Sequence, residues 1–148
     1  KGIALALELP IVGVGSLEAM ASAARSTPAA AYVALLEAGK GECYWAAYDA
    51  ELACIAGPGH VPLADVASVL APFANRDAAI VGDVAAPLDA VGLRRVRDAK
   101  TDRPRASEIA RRAVEKIAAR GADDLHALEP VYVRPPDITW PRSTSTTR

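Results

Sequence analysis

Residues 31–59 constrain the fold more than any other stretch of this chain. Ala31–Leu36 is an apolar run, and Glu37–Gly41 (EAGKG) is a glycine-rich turn. Glu42–Asp49 (ECYWAAYD) then alternates, placing Glu42, Tyr44, Ala46 and Tyr48 on one side and Cys43, Trp45, Ala47 and Asp49 on the other. A third run, Leu52–Ala56, is closed by Gly57-Pro58-Gly59. Three strands joined by short connections predict an antiparallel meander.

Helix and strand alternate after it. Pro62–Phe73 is expected to be a helix with Leu63, Val66, Ala67 and Leu70 facing inward. Ala78–Val81 reads as a short strand running into Gly82-Asp83. Ala85–Ala90 reads as a helical turn, with Asp83 as its cap, and Leu93–Val96 as another strand. Pro104 opens the clearest helix and Gly121 closes it. Its apolar stripe is Ile109, Ala110, Ala113, Val114, Ile117 and Ala118, opposite Arg111, Arg112, Glu115 and Lys116. Leu128–Arg134 is a last ordered segment, and 135–148 is a polar tail expected to be disordered.

The stretch before the meander has another texture. Lys1–Glu8 reads as a helix ended by Pro10, and Ile11–Val14 as a short buried strand. Ser16 is the expected cap of a helix over Leu17–Ala24, buried through Leu17, Met20, Ala21 and Ala24. Ser26-Thr27-Pro28 is a break. The organisation is therefore read as residues 1–27, residues 28–134 and the tail 135–148. A helix at residue 1 without a cap suggests the remnant of a unit that has lost its start. On that reading Ile3, Leu5, Leu7, Leu9, Ile11, Val12 and Val14 are exposed or buried in a dimer contact.

Composition fits a folded protein of one ordinary domain's size. The 148 residues are 51% hydrophobic and 24% charged, with a net charge of -1, unlike disordered chains. Thirty-three are alanine and only 5% are aromatic, so the core must be small side chains packed close. No apolar run reaches the ~20 residues of a membrane span, and the cytoplasm is the default location. Ten basic and four acidic residues fall between Arg94 and Arg120. That stripe suits phosphates, an acidic partner or solvent. It carries no aromatic residues on which bases might stack.

Motifs for catalysis are sparse. Gly13-Val14-Gly15 stands between a predicted strand and a helix, but Glu18 occupies the third glycine position of a dinucleotide-binding loop. His60 and His126 are isolated, so no metal site is expected. Cys43 and Cys54 read as buried thiols in strands that a hairpin could make neighbours, with no histidine near Cys43 in sequence. Asp49, Asp83 and Asp98 are acidic candidates without an assigned role. Asp83 is the most site-like because it follows a strand end.

Five motifs in order resemble the TsaB (YeaZ) family of tRNA threonylcarbamoyladenosine biosynthesis. They are Lys1–Ala21, Lys40-Gly41-Glu42-Cys43-Tyr44, Val81-Gly82-Asp83, Pro104–Ala113 and Leu128–Asp137 (LEPVYVRPPD). The resemblance implies an α/β, actin-like (ribonuclease H-like) fold, with the second lobe complete and the first mostly missing. The family's opening D-T-S or D-T-A strand and its G-x-G-P-G-S-F-T-G segment are absent here. It implies a non-catalytic subunit, without cofactor, that partners a TsaD-like transferase and a TsaE-like ATPase and acts indirectly on tRNA. Older descriptions of such proteins are glycoprotease-like. The motif positions Gly41, Glu42, Tyr44, Gly82, Asp83, Pro130, Tyr132 and Arg134 are expected to be structural or interfacial. Arg105, Arg111 and Arg112 are candidate RNA or partner contacts. An actin-like nucleotide-binding enzyme or a protease homologue is the competing reading, and an RNA-binding module using the basic stripe is a third.

Overall fold

A computed structural model describes residues 1–85, 92–96, 98 and 100–134. Its centre is a five-stranded sheet in the order β3-β2-β1-β4-β5. The strands are β1 (Ala31–Gly39), β2 (Glu42–Asp49), β3 (Cys54–Pro62), β4 (Ala78–Val81) and β5 (Arg94–Val96). The meander β1-β2-β3 is antiparallel, as its turns require. β4 returns to the middle of the sheet and lies parallel to β1, and β5 lies parallel to β4. The helices are α1 (Gly2–Ala6), α2 (Ser16–Ala23), α3 (Val66–Leu70) and α4 (Ala106–Arg120).

The alternation in β2 has a direct structural counterpart. Tyr48 and Ala46 join Tyr32, Ala34, Ala79 and Val81 in a core beneath α2. Cys43 and Ala47 join Val33, Leu35, Ile80, Val66, Leu70 and Phe73 in a second core beneath α3. Successive residues of a strand point to opposite faces, so each strand feeds both layers. Ala is the commonest residue of the first core and shares the second with Val, while Met20, Tyr32, Tyr48 and Phe73 are the large members.

Several expected elements are corrected. The third strand begins at Cys54, not Leu52, because the Asp49 carboxylate accepts the Glu51 and Ala53 amides at 3.1 and 2.8 Å and organises the preceding turn. It also runs through Gly57-Pro58-Gly59 to Pro62. An edge strand tolerates proline, and Gly59 leaves room for the Trp45 indole, which a β-carbon there would meet at 2.7 Å. The helix expected over Pro62–Phe73 is divided into two 3-10 turns flanking α3. Pro72 has no amide hydrogen with which to continue it. Cys54 is exposed and only Cys43 is buried. They are not hairpin neighbours, since Cys43 faces Val61 and Cys54 faces Tyr48.

Among the described residues, 11–14 pair with no strand. They form an extended segment tied to the Asp123 backbone and carboxylate. Ser16 is the first residue of α2, and Gly15 is its cap. No residue of α1 is buried. Ile3, Leu5, Leu7 and Leu9 are exposed, whereas Ile11, Val12 and Val14 are half-buried. The helical turn expected at Ala85–Ala90 and the tail at 135–148 lie essentially outside the described residues. No helix among those described is long and apolar enough to cross a membrane.

The largest correction concerns α4. Its ends fall where Pro104 and Gly121 placed them, within two residues. Its apolar stripe is covered along one side alone: Ile109, Ala113 and Ile117 are half-buried, whereas Ala110, Val114 and Ala118 are exposed, Val114 at 69%. Beside these, Arg112 and Lys116, placed on the polar side by the periodicity, turn toward α2. The reason is Glu18 on α2, whose side chain is only 11% exposed and needs cationic partners there.

Candidate functional site

A groove of about 790 Å³ opens between the loop before α2 and the C-terminal segment. Gly13, Val14 and Gly15 form one wall, and Leu128–Arg134 the other. Leu36, Tyr44, Tyr48 and Pro58 contribute from the meander. The alternation of β2 sets Tyr44 and Tyr48 on the same face, four residues apart. Burial, then the nearby Cys54 and Glu18, pushes the Tyr48 phenol far up, so it stays protonated.

Polar contacts hold the walls. The Lys1 ammonium donates to the carbonyls of Leu128 at 2.8 Å and His126 at 3.3 Å. The Gly13 amide donates to Asp123 Oδ2 at 2.8 Å. Asp123 also accepts from the Arg120 guanidinium. That hydrogen bond, followed by the one from Gly13, holds the Asp123 carboxyl below its ordinary value. Arg134 Nε lies 3.3 Å from Glu42 Oε2 and pins the C-terminal segment to β2.

The N-terminus of α2 points into this region, where an anion would otherwise be favoured. Glu18 fills that role itself: its Oε2 accepts the Gly15 amide at 3.4 Å. Arg112 Nε approaches its Oε1 at 2.7 Å and Lys116 Nζ its Oε2 at 3.0 Å. Burial alone would lower the Arg112 guanidinium; hydrogen bonds to Glu18 and Glu115 outweigh it and raise it. The expectation that Glu18 spoils a phosphate loop thus has a concrete form, since the carboxylate sits at the helix start with two cations of its own.

The motif positions fall in three places. Tyr44, Pro130, Tyr132 and Arg134 line the groove, with Glu42 bound to Arg134. Tyr132 is 84% exposed, so it is a rim residue. Gly41 serves the β1-β2 turn at φ +74°, and its carbonyl accepts the Leu63 amide at 2.8 Å. Gly82 and Asp83 lie elsewhere, at the end of β4. There Arg95 donates to the Gly82 carbonyl and to Asp83 Oδ1, each at 3.2 Å. A β-carbon on Gly82 would stand 2.0 Å from the Leu35 carbonyl oxygen.

Of the basic candidates, Arg111 is held by Glu108, Glu115 and Ser22, and Arg112 by Glu18 and Glu115. Arg105 is the exposed residue just before α4. Among the described residues no three His, Cys, Asp or Glu side chains converge as a metal site would require. His60 and His126 are exposed and lie on different elements. Burial pushes the Cys43 thiol up to about 11, away from nucleophilic use. Two residues that motif reading passed over as binders, Glu18 and Asp123, turn out to clamp the Gly13–Gly15 loop. Glu18, three residues after Gly15, carried the signature of a helix-start carboxylate; Asp123 carried no comparable signal.

The family model described as TsaD, tRNA N6-adenosine threonylcarbamoyltransferase, matches residues 1–123. The chain belongs to the TsaD family. Two solved structures from Pseudomonas aeruginosa share its fold. One, described as an uncharacterized protein with similarity to peptidase YeaZ, has a TM-score of 0.66 at 22% identity. The match covers 90% of this chain and 63% of that one. The other, YeaZ itself, has a TM-score of 0.64 at 23% identity, covering 88% and 64% respectively. The present chain thus spans less than two thirds of either. No curated protein matches it in sequence. The sheet order, with an antiparallel meander continued by parallel strands, is that of an actin-like lobe, and it fits both the TsaD-family match and the YeaZ fold.

Proposed function

We propose that this chain belongs to a TsaB-type subunit. On this reading it supports a TsaD-like partner that transfers threonylcarbamate to adenosine in tRNA, does not catalyse the transfer itself, and works with a TsaE-like ATPase. The observation that carries the proposal is the TsaD-family match over residues 1–123 in a chain with the YeaZ fold. The ordered motifs from Lys1 to Asp137 support it. The geometry is in keeping: Glu18 occupies the helix start where a phosphate would bind, and the one buried thiol is held protonated.

An independent RNA-binding role for the basic stripe is less favoured. Arg111, Arg112, Lys116 and Arg120 already face Glu108, Glu115, Glu18 and Asp123, which leaves little charge for phosphates.

Complementation tests the proposal. In a bacterium depleted of its own TsaB, the gene product carrying this chain should restore threonylcarbamoyladenosine, measured by mass spectrometry of digested tRNA. Failure of a well-expressed product to restore it would overturn the reading. The same product, incubated alone with a threonylcarbamate donor and tRNA, should give no modified nucleoside; turnover without a partner would overturn the non-catalytic assignment.

A further inference from the structure

No residue of α4 is buried, although the helix is fifteen residues long. A lone helix of that length is marginal in water, and the apolar cover of this one is partial: Ile109, Ala113 and Ile117 are half-buried and Val114 is exposed. Its bonds to α2 are polar. Arg112 and Lys116 converge on Glu18, and Arg111 reaches the Ser22 hydroxyl at 2.5 Å and the Ser22 carbonyl at 3.3 Å. Arg25, just past α2, stands 3.9 Å from Glu115.

The carboxylates at the two ends of this arrangement each have a second task. Glu18 accepts the Gly15 amide while holding Arg112 and Lys116. Asp123, two residues beyond the Gly121 cap, accepts the Gly13 amide while holding Arg120, and its own amide donates to the Ile11 carbonyl at 2.8 Å. Each end of the Gly13–Gly15 loop is therefore bonded to a carboxylate whose other partners are cations of α4. The loop is a wall of the groove.

We propose that α4 is an ionic latch that sets the position of this wall. Breaking the Glu18–Arg112–Lys116 cluster releases α4 and the Gly13–Gly15 loop together, while the sheet stays folded. Half-buried ion pairs are screened less than exposed ones, and removing one partner leaves the other's charge poorly compensated. Units without fully buried side chains open below the global unfolding free energy, and α4 is such a unit. The latch depends on this chain's own contacts, whichever partners the protein meets.

Amide hydrogen exchange on the 148-residue chain, followed by NMR, tests it with two variants. Lys116→Met removes one cation but keeps an unbranched side chain of similar length. Glu18→Gln removes the charge but keeps an acceptor for the Gly15 amide. Each variant should speed exchange of the α4 amides and of Gly13 about tenfold, with the Val33 and Ile80 amides unchanged. Raising salt from low to about molar concentration should act on the wild type in the same direction. Faster exchange in α4 without any change at Gly13 would overturn the coupling. Unchanged exchange in α4, or acceleration that includes Val33 and Ile80 in step, would overturn the latch.

Discussion

Gly82 and Gly41 both belong to motifs, both have positive φ, and they have very different surroundings. At Gly41 a β-carbon would meet nothing within 4 Å, so only the left-handed backbone (φ +74°) opposes a side chain. Gly41→Ala should cost about 1 kcal/mol. At Gly82 the backbone has φ +114°, and a β-carbon would fall 2.0 Å from the Leu35 carbonyl oxygen and 2.9 Å from the Met20 methyl. Strand β4 cannot retreat without breaking its pairing with β1. Gly82→Ala should therefore cost roughly 3 kcal/mol or more. Urea unfolding followed by circular dichroism compares the two; equal losses would contradict the close-approach account. Sequence reading placed Gly82 at a strand end but could not say what it approaches, because Leu35 belongs to another strand 47 positions earlier.

Elements were legible where a local pattern has only one use. The alternation of Glu42–Asp49 predicted both faces of β2, and each face has its own core. α4 shows where this fails. Its periodicity identified two faces, but the docking edge was decided by Glu18, some ninety residues earlier. Likewise Ile11–Val14 looked like a strand, since four apolar residues do not reveal whether a neighbouring strand exists to pair with them. Asp123 joins this segment to α4, and its titration reports on the junction. The bonds from Arg120 and Gly13 lower its folded-state value. The stabilisation is fully present above the ordinary value of 3.8 and is lost as pH falls through the lower folded value. The Gly13 amide resonance should accordingly show a transition centred below 3.8 in the wild type. In Arg120→Ala that midpoint should move up toward the ordinary value. A midpoint indifferent to Arg120 would contradict the assignment of its largest cause.

The whole molecule has a well-covered sheet and a poorly covered flank. Both faces of the sheet are closed by helices, whereas Ile3, Leu5, Leu7 and Leu9 are more than half exposed on and just after α1. Val131 and Tyr132 are also largely exposed, and they line the groove that Lys1 also borders. Scattered apolar residues on a surface are ordinary, but several grouped on one short segment mark an interaction surface. In a purified sample the available complement is a second copy of the same chain, which presents the same apolar side chains. Two such faces can meet symmetrically; α1 itself carries no carboxylate or guanidinium, and Glu8, between Leu7 and Leu9, is the one carboxylate of the segment. The 148-residue chain should therefore self-associate with rising concentration in sedimentation velocity. Leu5→Glu combined with Leu9→Glu should weaken that association at least about tenfold, because two like charges on each copy would be brought together without partners. Neither position is buried, so the variant should keep the wild-type unfolding midpoint. A chain that stays monomeric to millimolar concentration, or association untouched by the double substitution, would show that this face is not where copies meet.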